Sequence, residues 1–250
     1  METLIYKNYE ELSEKVAEKM VLQILSKPDT IFCLASGNST QLCYQIFVKK
    51  IIENSIDISK STFIGLDEWI GILPSNSGSC HYFFSHHLFE PLQLVSSQIY
   101  LFDGMSKNLE MECEKMDKFI KQKGGLDFII VGVGLNGHIA FNEPGVSFDY
   151  YSHIINLAEM TLNVGQKYFD VPTSLHQGIT LGLKHFLESK TAILMADGIK
   201  KADIIQKTLE GKIDNKVPST IIRKHKNAIV MLDLDAYKKV SGECQKNIQQ

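Results

Sequence analysis

The sequence predicts an α/β fold: one domain over residues 1–250 whose mostly parallel sheet is covered by helices on both faces, Rossmann-like but without dinucleotide binding. Short apolar, β-branched runs alternate with amphipathic helical patterns along the whole chain, which is typical of repeated βα units. A length of 250 residues with 44% hydrophobic residues suits one globular domain. We find no repeat of fixed period and no Pro/Gly/Ser-rich linker that would divide the chain.

The first unit illustrates the pattern. The run "TLIYK" precedes Asn8, which can cap a helix that has Glu11 at its third position. Apolar residues of that helix recur every four positions, at Leu12, Val16, Met20 and Ile24. The later predicted strands and helices are, in order, "TIFCLAS", "QLCYQIFVKKIIEN", "TFIGLD", "QIYLF", "LEMECEKMDKFIKQ", "LDFIIVGV", "TAILMAD", "KKADIIQKTLEG" and "NAIVML".

Composition narrows the class of protein. A formal net charge of -3, from 26 Lys and Arg against 29 Asp and Glu, argues against a nucleic-acid-binding surface. The N-terminal segment has no apolar signal region, and no segment reaches about 18 apolar residues. We therefore expect a cytoplasmic protein without nucleic-acid or membrane partners. The five cysteines are odd in number and lack C-x-x-C spacing, which favours reduced thiols at Cys33, Cys43, Cys80, Cys113 and Cys244.

Ligands of open parallel sheets bind at the carboxyl ends of the strands, so the loops after the apolar runs are the most informative. The stretch "GVGLNGHIAFNEPG", residues 132–145, fits G-x-G-x-x-G, but that fingerprint must open a helix. Pro144 follows too soon for a full helix. The glycines therefore indicate a tight loop that presents His138 and Glu143 to a cleft.

The loop "ASGNST" predicts an anion site because small and hydroxyl residues stand where a helix begins. Phosphate is the natural guest, although Ser39 or Thr40 could instead serve only as a helix N-cap. The chain has one arginine, Arg223, so the positive charge for a phosphate must come mainly from lysine and backbone N–H groups. Lys201 is the best-placed lysine, and Lys200 and Lys167 are weaker candidates.

Adjacent carboxylates in "GLDEWIG" should point to different faces because side chains of a strand alternate. One of Asp67 and Glu68 can therefore face a cleft, where a carboxylate is a suitable base for removing a proton next to a carbonyl. The alternative is an aspartate that only caps loop amides.

His138 and Glu143 can form a proton-transfer pair, since a carboxylate beside an imidazole fixes its tautomer and raises its basicity. Two ligands are too few for a metal site, and no metal is expected. In "SCHYFFSHHLFEP", the aromatic residues around His81, His86 and His87 favour a packing role.

Taken together, "LDEW" and "GHIAFNEPG", with "SGNST", "GITLGLKHFLESK" and "DGIKKA", resemble the glucosamine-6-phosphate deaminase (isomerase) family over nearly the whole chain. This family includes galactosamine-6-phosphate isomerases and is related to 6-phosphogluconolactonases. The resemblance implies conversion of a hexosamine 6-phosphate to a ketohexose 6-phosphate and ammonia, without a cofactor. A sugar phosphate is the implied partner, and homo-oligomerisation is left open.

By the same resemblance, Asp67 is the base that moves a proton between C2 and C1 of the opened sugar. His138 serves ring opening, Glu143 pairs with His138, and Asn136 occupies the position that assists ring opening. The implied phosphate site consists of Ser36, Gly37, Asn38, Ser39, Thr40 and Lys201.

Some residues depart from the family pattern. Asn136 stands where many members have aspartate, and Lys167 lies near the place of a substrate-phosphate arginine. The segments "VPTSLHQGITLGLKHFLESK" and "GSCHYFFSHHLFEPL" tilt the expected substrate slightly toward galactosamine 6-phosphate. The alternative functions are a non-catalytic sugar-phosphate-sensing domain and a 6-phosphogluconolactonase-type hydrolase.

Overall fold

The computed structural model describes residues 1–241 and 247–248. Its strands, in chain order, are β1 (Glu2–Tyr6), β2 (Ile31–Leu34), β3 (Thr62–Gly65), β4 (Asp67–Trp69), β5 (Ile99–Tyr100), β6 (Phe128–Val131), β7 (His153–Asn156), β8 (Gln177–Thr180), β9 (Thr191–Ala196), β10 (Ala228–Asp233) and β11 (Asn247–Ile248). Its α-helices are α1 (Tyr9–Ser26), α2 (Asn38–Glu53), α3 (Cys80–Phe84), α4 (Leu109–Gln122), α5 (Glu159–Gly165), α6 (Leu183–Glu188), α7 (Ala202–Glu210) and α8 (Leu234–Tyr237). The remaining short helical segments are the π-helix Ser85–Phe89 and the 3₁₀ segments Ser96–Gln98, Gln166–Tyr168, Ile199–Lys201 and Pro218–Lys224.

The main sheet is parallel, with the strand order β11-β1-β10-β9-β6-β2-β3-β5 in the described part of the chain. From β2 the chain proceeds outward through β3 to β5, and later strands extend from β6 in the other direction. The order therefore reverses between β2 and β6, which is where open α/β sheets bind ligands. The three strands whose loops carry the predicted site are adjacent, with β2 between β3 and β6, so their loops meet at one edge of the sheet.

Both faces of this sheet are buried. On β2, Phe32 and Leu34 belong to one apolar cluster, while Ile31 and Cys33 belong to the other. The first cluster includes residues of α1, α2 and α3, and the second includes residues of α4, α6, α7 and α8. Burial on two faces explains why the strands read as continuous apolar runs, and it confirms the predicted arrangement of helices on both faces.

The N-terminus of α1 has the predicted cap. Asn8 Oδ1 accepts the backbone N–H of Glu11 at 2.9 Å, and the Glu11 carboxylate accepts the backbone N–H of Lys7 at 2.7 Å. Two otherwise unpaired donors are thereby satisfied, which stabilises such a helix by about 1 kcal/mol.

A second sheet was not anticipated from the sequence. Strands β4, β8 and β7 form a small antiparallel sheet in which Asp67 pairs with Thr180. From the sequence, "GLDEW" is expected at the end of a strand, whereas in the structure Asp67 begins a new strand of three residues. Three residues are too few to show the period of two that identifies a strand.

Within the described residues, no helix is both long enough and apolar enough to cross a membrane. Cys33, Cys43, Cys80 and Cys113 are buried and carry free thiols, in agreement with the predicted reduced state. Cys244 lies outside the described residues.

Candidate active site

The loops after β2, β3 and β6 line one cleft of about 220 Å³ at the carboxyl edge of the main sheet. The sequence-predicted residues that line it are Ser36, Gly37, Asn38, Ser39, Thr40, Asp67, Asn136, His138 and Lys201. Glu143 is the exception, because it lies behind His138 with 4% of its surface exposed. The fold thus brings the predicted anion loop, base and histidine to one place.

The anion loop is shaped by Gly37, which precedes the first residue of α2. Its φ of +118° is unfavourable for residues with a side chain, and a Cβ there would lie 3.2 Å from the Tyr168 hydroxyl. The Tyr9 hydroxyl donates to the carbonyl oxygen of Asn38 at 2.7 Å and holds the first turn in place. The start of α2 lines the cleft, where the N–H groups of a first helical turn can meet an anion, and the Tyr168 hydroxyl accepts the backbone N–H of Asn38 there.

The hydroxyl groups of this loop already have partners. Thr40 Oγ1 lies 3.0 Å from the carbonyl oxygens of both Ala35 and Gly37, so its proton serves the backbone of the loop. Ser39 Oγ donates to Asp197 Oδ1 at 2.6 Å. An anion at this loop would consequently meet backbone N–H groups first, because the side chains mainly hold the loop's shape.

Two lysines bring positive charge to the cleft. Lys201 and Lys167 both line it, whereas Lys200 is exposed and does not. Lys201 Nζ donates to the carbonyl oxygen of Val133 at 2.5 Å. Burial, helped by the nearby Lys167 charge and opposed by Asp197, lowers the pKa of Lys201 to about 8. From the sequence, Lys167 and Lys200 were equally weak candidates for phosphate binding. In the structure Lys167 lines the cleft and Lys200 does not.

Asp67 is the carboxylate of the "DE" pair that faces the cleft. Burial, and then the neighbouring Glu68, raise the pKa of Asp67 to about 7, against a smaller lowering effect of a hydrogen bond from Cys80. A carboxyl group that titrates near neutral pH can both take and return a proton, as a general base requires.

Glu68 has a structural role on the opposite side of β4. It is 2% exposed and accepts three backbone N–H groups, from Trp69 at 2.8 Å, Cys80 at 3.0 Å and His81 at 2.9 Å. It therefore fastens the start of α3 to β4. As expected from strand alternation, only one of the two adjacent carboxylates faces the cleft.

His138 is held by a glycine-rich turn, and no helix follows this turn before Glu159. Its ring packs on Gly134, where a Cβ would lie 2.3 Å from ring atoms. Gly137 has φ +89°, which lets the chain reverse, and the backbone N–H of His138 donates to Asn136 Oδ1 at 3.1 Å. The turn presents a histidine rather than a pyrophosphate-binding helix, as predicted.

Behind His138 lies a polar network. His138 Nδ1 is 3.6 Å from Glu143 Oε2 and 3.1 Å from Thr161 Oγ1. Asn136 Nδ2 donates to Glu143 Oε2 at 2.7 Å. Burial raises the pKa of Glu143, but interactions with His138, Thr161 and Asn136 outweigh it, so the net shift is downward. Glu143 is thus ionised at neutral pH and able to orient the imidazole.

Sequence reasoning missed three groups of this site. Cys80 lines the cleft and contacts Asp67, Thr161 on α5 contacts His138, and Asp197 holds Ser39. Each lies at least 13 positions from its partner. Cys80 and Asp197 belong to the quoted stretches "SCHYFFSHHLFEP" and "DGIKKA", but neither stretch indicates the contact that its residue makes.

The histidines after Ser79 pack as expected. His81 Nε2 is 2.9 Å from the carbonyl oxygen of Phe102, His86 stacks on Tyr82, and His87 contacts Phe83 edge-on. In residues 1–241, no group of three or more His, Cys, Asp or Glu side chains is arranged to hold a metal ion.

The fold and the site together define a class: an α/β protein whose sheet edge carries a glycine- and serine-containing loop at a helix start, a buried carboxyl group and a histidine–glutamate pair in one cleft. The pattern of the family described as glucosamine-6-phosphate isomerases/6-phosphogluconolactonase matches residues 7–231. The chain belongs to this family, and the resemblance noted in the sequence is confirmed.

Relatives and solved structures agree with this assignment. Glucosamine-6-phosphate deaminases of Thermoanaerobacter sp. (strain X514) and Clostridium botulinum (strain Hall) are each 34% identical to this chain, over 100% and 96% of it respectively and 99% of each relative. A solved structure described as a monomeric glucosamine-6-phosphate deaminase matches with a TM-score of 0.93 at 29% identity, covering 96% of this chain and all of that one. The 6-phosphogluconolactonase of Trypanosoma brucei has a TM-score of 0.76 at 16% identity, covering 96% of this chain and 99% of its own, and shares the fold.

Proposed function

We propose that this protein converts a hexosamine 6-phosphate and water to a ketohexose 6-phosphate and ammonia. The observation that carries the proposal is the presence of Asp67, whose pKa is raised to about 7, in the same cleft as His138 and the anion loop. An aldose–ketose isomerisation needs this combination, because a base must act on carbon atoms of a substrate that is anchored by its phosphate.

The substrate phosphate would bind at the N-terminus of α2. Backbone N–H groups of Gly37 and Ser39 and the ammonium groups of Lys201 and Lys167 provide the donors and positive charge. The phosphate end is then fixed, and the sugar carbons extend toward Asp67 and His138 in the same cleft.

Ring opening is the first chemical step. The proton of the C1 hydroxyl is removed, the bond from C1 to the ring oxygen breaks, and the ring oxygen gains a proton. His138 can accept and return this proton, since Glu143 and Thr161 hold its Nδ1 side. The product of this step is the open-chain aldehyde.

Isomerisation and deamination follow. Asp67 removes the C2 proton and the aldehyde oxygen takes up a proton, which gives an enolamine with a double bond between C1 and C2. C1 then receives a proton and the nitrogen loses one, so the amino-aldehyde becomes an imine at C2 with a hydroxymethyl group at C1. Water then adds to C2 and ammonia leaves, which gives the ketose. Each bond change in this sequence is a proton transfer, the addition of water to a carbon–nitrogen double bond or the elimination of ammonia from the resulting carbinolamine, so acid–base groups suffice for it.

The names of the relatives favour glucosamine 6-phosphate as the substrate, since those deaminases are 34% identical over their full lengths. Galactosamine 6-phosphate remains the second candidate, because the segment from Val171 to Lys190 suggested it. The two sugars differ only at the C4 hydroxyl. A site that hydrogen-bonds one epimer leaves polar groups unpaired with the other, so a clear preference is expected.

The test is ammonia release by the purified protein from each epimer, with and without a chelator, and with detection of the ketose product. Asp67→Asn serves as the matched inactive control. The proposal predicts turnover of at least one epimer that a chelator does not abolish. Binding of a hexosamine 6-phosphate without turnover would support a sensing domain instead. Hydrolysis of 6-phosphogluconolactone would support the lactonase alternative.

We also infer that residues 1–250 act as one domain in the cytoplasm, without nucleic-acid partners. Homo-oligomerisation stays open, and one structurally similar deaminase is described as monomeric. Light scattering of the purified chain measures this directly.

A further inference from the structure

A chain of three side chains connects the anion loop to the base. Ser36 Oγ donates to Cys80 Sγ at 3.1 Å, and Cys80 Sγ lies 3.7 Å from Asp67 Oδ1. All three residues line the cleft, and Cys80 is 4% exposed. The thiol takes no part in the proposed reaction.

The direction of these hydrogen bonds follows from protonation. Burial, together with the nearby charges of Glu68 and Asp67, raises the pKa of Cys80 well above the usual thiol range. The sulfur therefore keeps its proton. Since the Ser36 hydroxyl donates to the sulfur, the thiol proton is directed to Asp67 Oδ1.

The sulfur is also fixed in space. Cys80 is the first residue of α3, and its backbone N–H is bound by Glu68 Oε1 at 3.0 Å. Glu68 and Asp67 are adjacent on β4, so the strand that carries the base also anchors the residue that contacts it.

We propose that Cys80 is a positioning residue for the general base: its thiol holds Oδ1 of Asp67, so that Oδ2 takes the C2 proton of the substrate. This inference rests on the proposed function, since it assigns the thiol a role in the same proton transfer. It makes Cys80 a contributor to rate without contact with the reacting carbon atoms.

Other titratable groups also surround Asp67, so a variant that tests the role of Cys80 must leave these groups in place. Its electrostatic neighbours are Glu68 on β4, Cys33 on β2, Tyr44 on α2 and Tyr168 in the turn Gln166–Tyr168. His138, Lys167 and Lys201 line the same cleft. Among residues 1–241, Cys80 provides the side-chain hydrogen bond to the Asp67 carboxylate.

Loss of this hydrogen bond should make Asp67 harder to ionise, because a donor to a carboxylate favours its charged form. A base works when it is ionised. The acid limb of kcat/KM should therefore move to higher pH in Cys80→Ala, by about half a pH unit, and kcat at the plateau should fall about threefold through looser positioning. KM should change little.

Three variants make the test specific. Cys80→Ser keeps a hydroxyl donor and should restore the wild-type acid limb. Cys113→Ala makes the same chemical change at a buried cysteine of α4 outside the cleft lining, and should leave the profile unchanged. A pH profile of Cys80→Ala that coincides with those of wild type and Cys113→Ala would overturn the proposal.

An infrared measurement separates this inference from the proposed function. The S–H stretching band of Cys80, assigned by its absence in Cys80→Ala, should titrate in the wild-type protein with the ionisation of Asp67 and lose that titration in Asp67→Ala. If the wild type releases no ammonia from either hexosamine 6-phosphate, the proposed function fails, while a titrating band still supports the Cys80–Asp67 contact. A band that does not respond to pH overturns the contact even if the enzyme is active.

Discussion

The side-chain amide of Asn136 connects the backbone of His138 to the carboxylate of Glu143. Its Nδ2 donates to Glu143 Oε2 at 2.7 Å, and its Oδ1 accepts the backbone N–H of His138 at 3.1 Å. The amide therefore offsets part of the cost of burying the Glu143 carboxylate. It also fixes the backbone of His138, whose ring lies beside that carboxylate. An amide cannot relay a proton, so in the proposed reaction ring opening depends on His138 and Glu143.

Asn136→Asp should give a folded, active enzyme with altered pH dependence. The new carboxyl would lie within hydrogen-bond distance of Glu143, so the two groups must share a proton to remain together. Above the pH at which that proton is lost, repulsion should displace the loop and lower kcat/KM.

Asn136→Ala, which removes both hydrogen bonds, should lower kcat/KM about tenfold at every pH. This corresponds to a loss of about 1.4 kcal/mol in transition-state stabilisation. An aspartate variant that folds but is inactive at every pH would contradict this account.

Asp67→Asn should abolish turnover without loss of substrate binding. If Asp67 is the general base, we expect kcat to fall by a factor of about 10²–10⁴ while a non-reacting phosphate ligand binds with nearly unchanged affinity. Exchange of the C2 hydrogen with solvent measures the same step directly. Unchanged exchange in this variant would remove Asp67 from the role of base.

Glu68→Gln should affect stability instead. Glu68 accepts three backbone N–H groups with its two oxygens, and a glutamine would turn an NH₂ group toward at least one of these donors. We expect a loss of about 1–3 kcal/mol in the free energy of unfolding, seen as a lower Tm. Equal effects of the two neighbouring substitutions on catalysis would mean that the faces of β4 have been misassigned.

The sequence predicted those elements and contacts that leave a pattern several residues long within one segment of the chain. The parallel strands were readable because burial on both faces leaves continuous apolar runs, such as Ile31–Leu34. The faces of Asp67 and Glu68 followed from the alternation of a strand. In contrast, Thr161 and His138 are 23 positions apart, and no pattern in either segment records that the fold brings them to 3.1 Å. The small antiparallel sheet was missed because its first strand, Asp67–Trp69, has three residues.

Lys201→Ala should raise KM more than Lys200→Ala. Lys201 is part of the cleft lining and is held by Val133, whereas Lys200 is exposed. Loss of a well-placed charge-assisted contact to phosphate costs about 1.5–3 kcal/mol. Lys167→Ala should have an intermediate effect, because this exposed lysine also borders the cleft. Steady-state kinetics with one hexosamine 6-phosphate checks the ranking, and a larger effect at Lys200 would reverse the assignment.

Thr161→Val should slow ring opening through His138. The threonine hydroxyl lies 3.1 Å from His138 Nδ1 and also interacts with Glu143, so it helps to fix the ring. His138→Gln should lower the rate of reaction of the closed pyranose more than that of an open-chain analogue. Thr161→Val should lower the two rates in the same order but by smaller factors. Thr161→Ser keeps the hydroxyl and should restore most of the rate. Equal decreases of the rate with both substrate forms would show that Thr161 and His138 do not act in ring opening.

The pH dependence of kcat/KM should be a narrow bell. Asp67 acts as a base in its carboxylate form, which exists above its pKa of about 7, so activity should rise as pH increases through that value. Lys201 binds phosphate as a cation, which exists below its pKa of about 8, so activity should fall as pH increases through that value. The kcat profile reports the enzyme–substrate complex, in which the phosphate dianion favours the charged lysine. Its descending limb should therefore lie at higher pH than that of kcat/KM. Descending limbs that coincide in the two profiles would show that the ammonium of Lys201 does not meet the substrate phosphate.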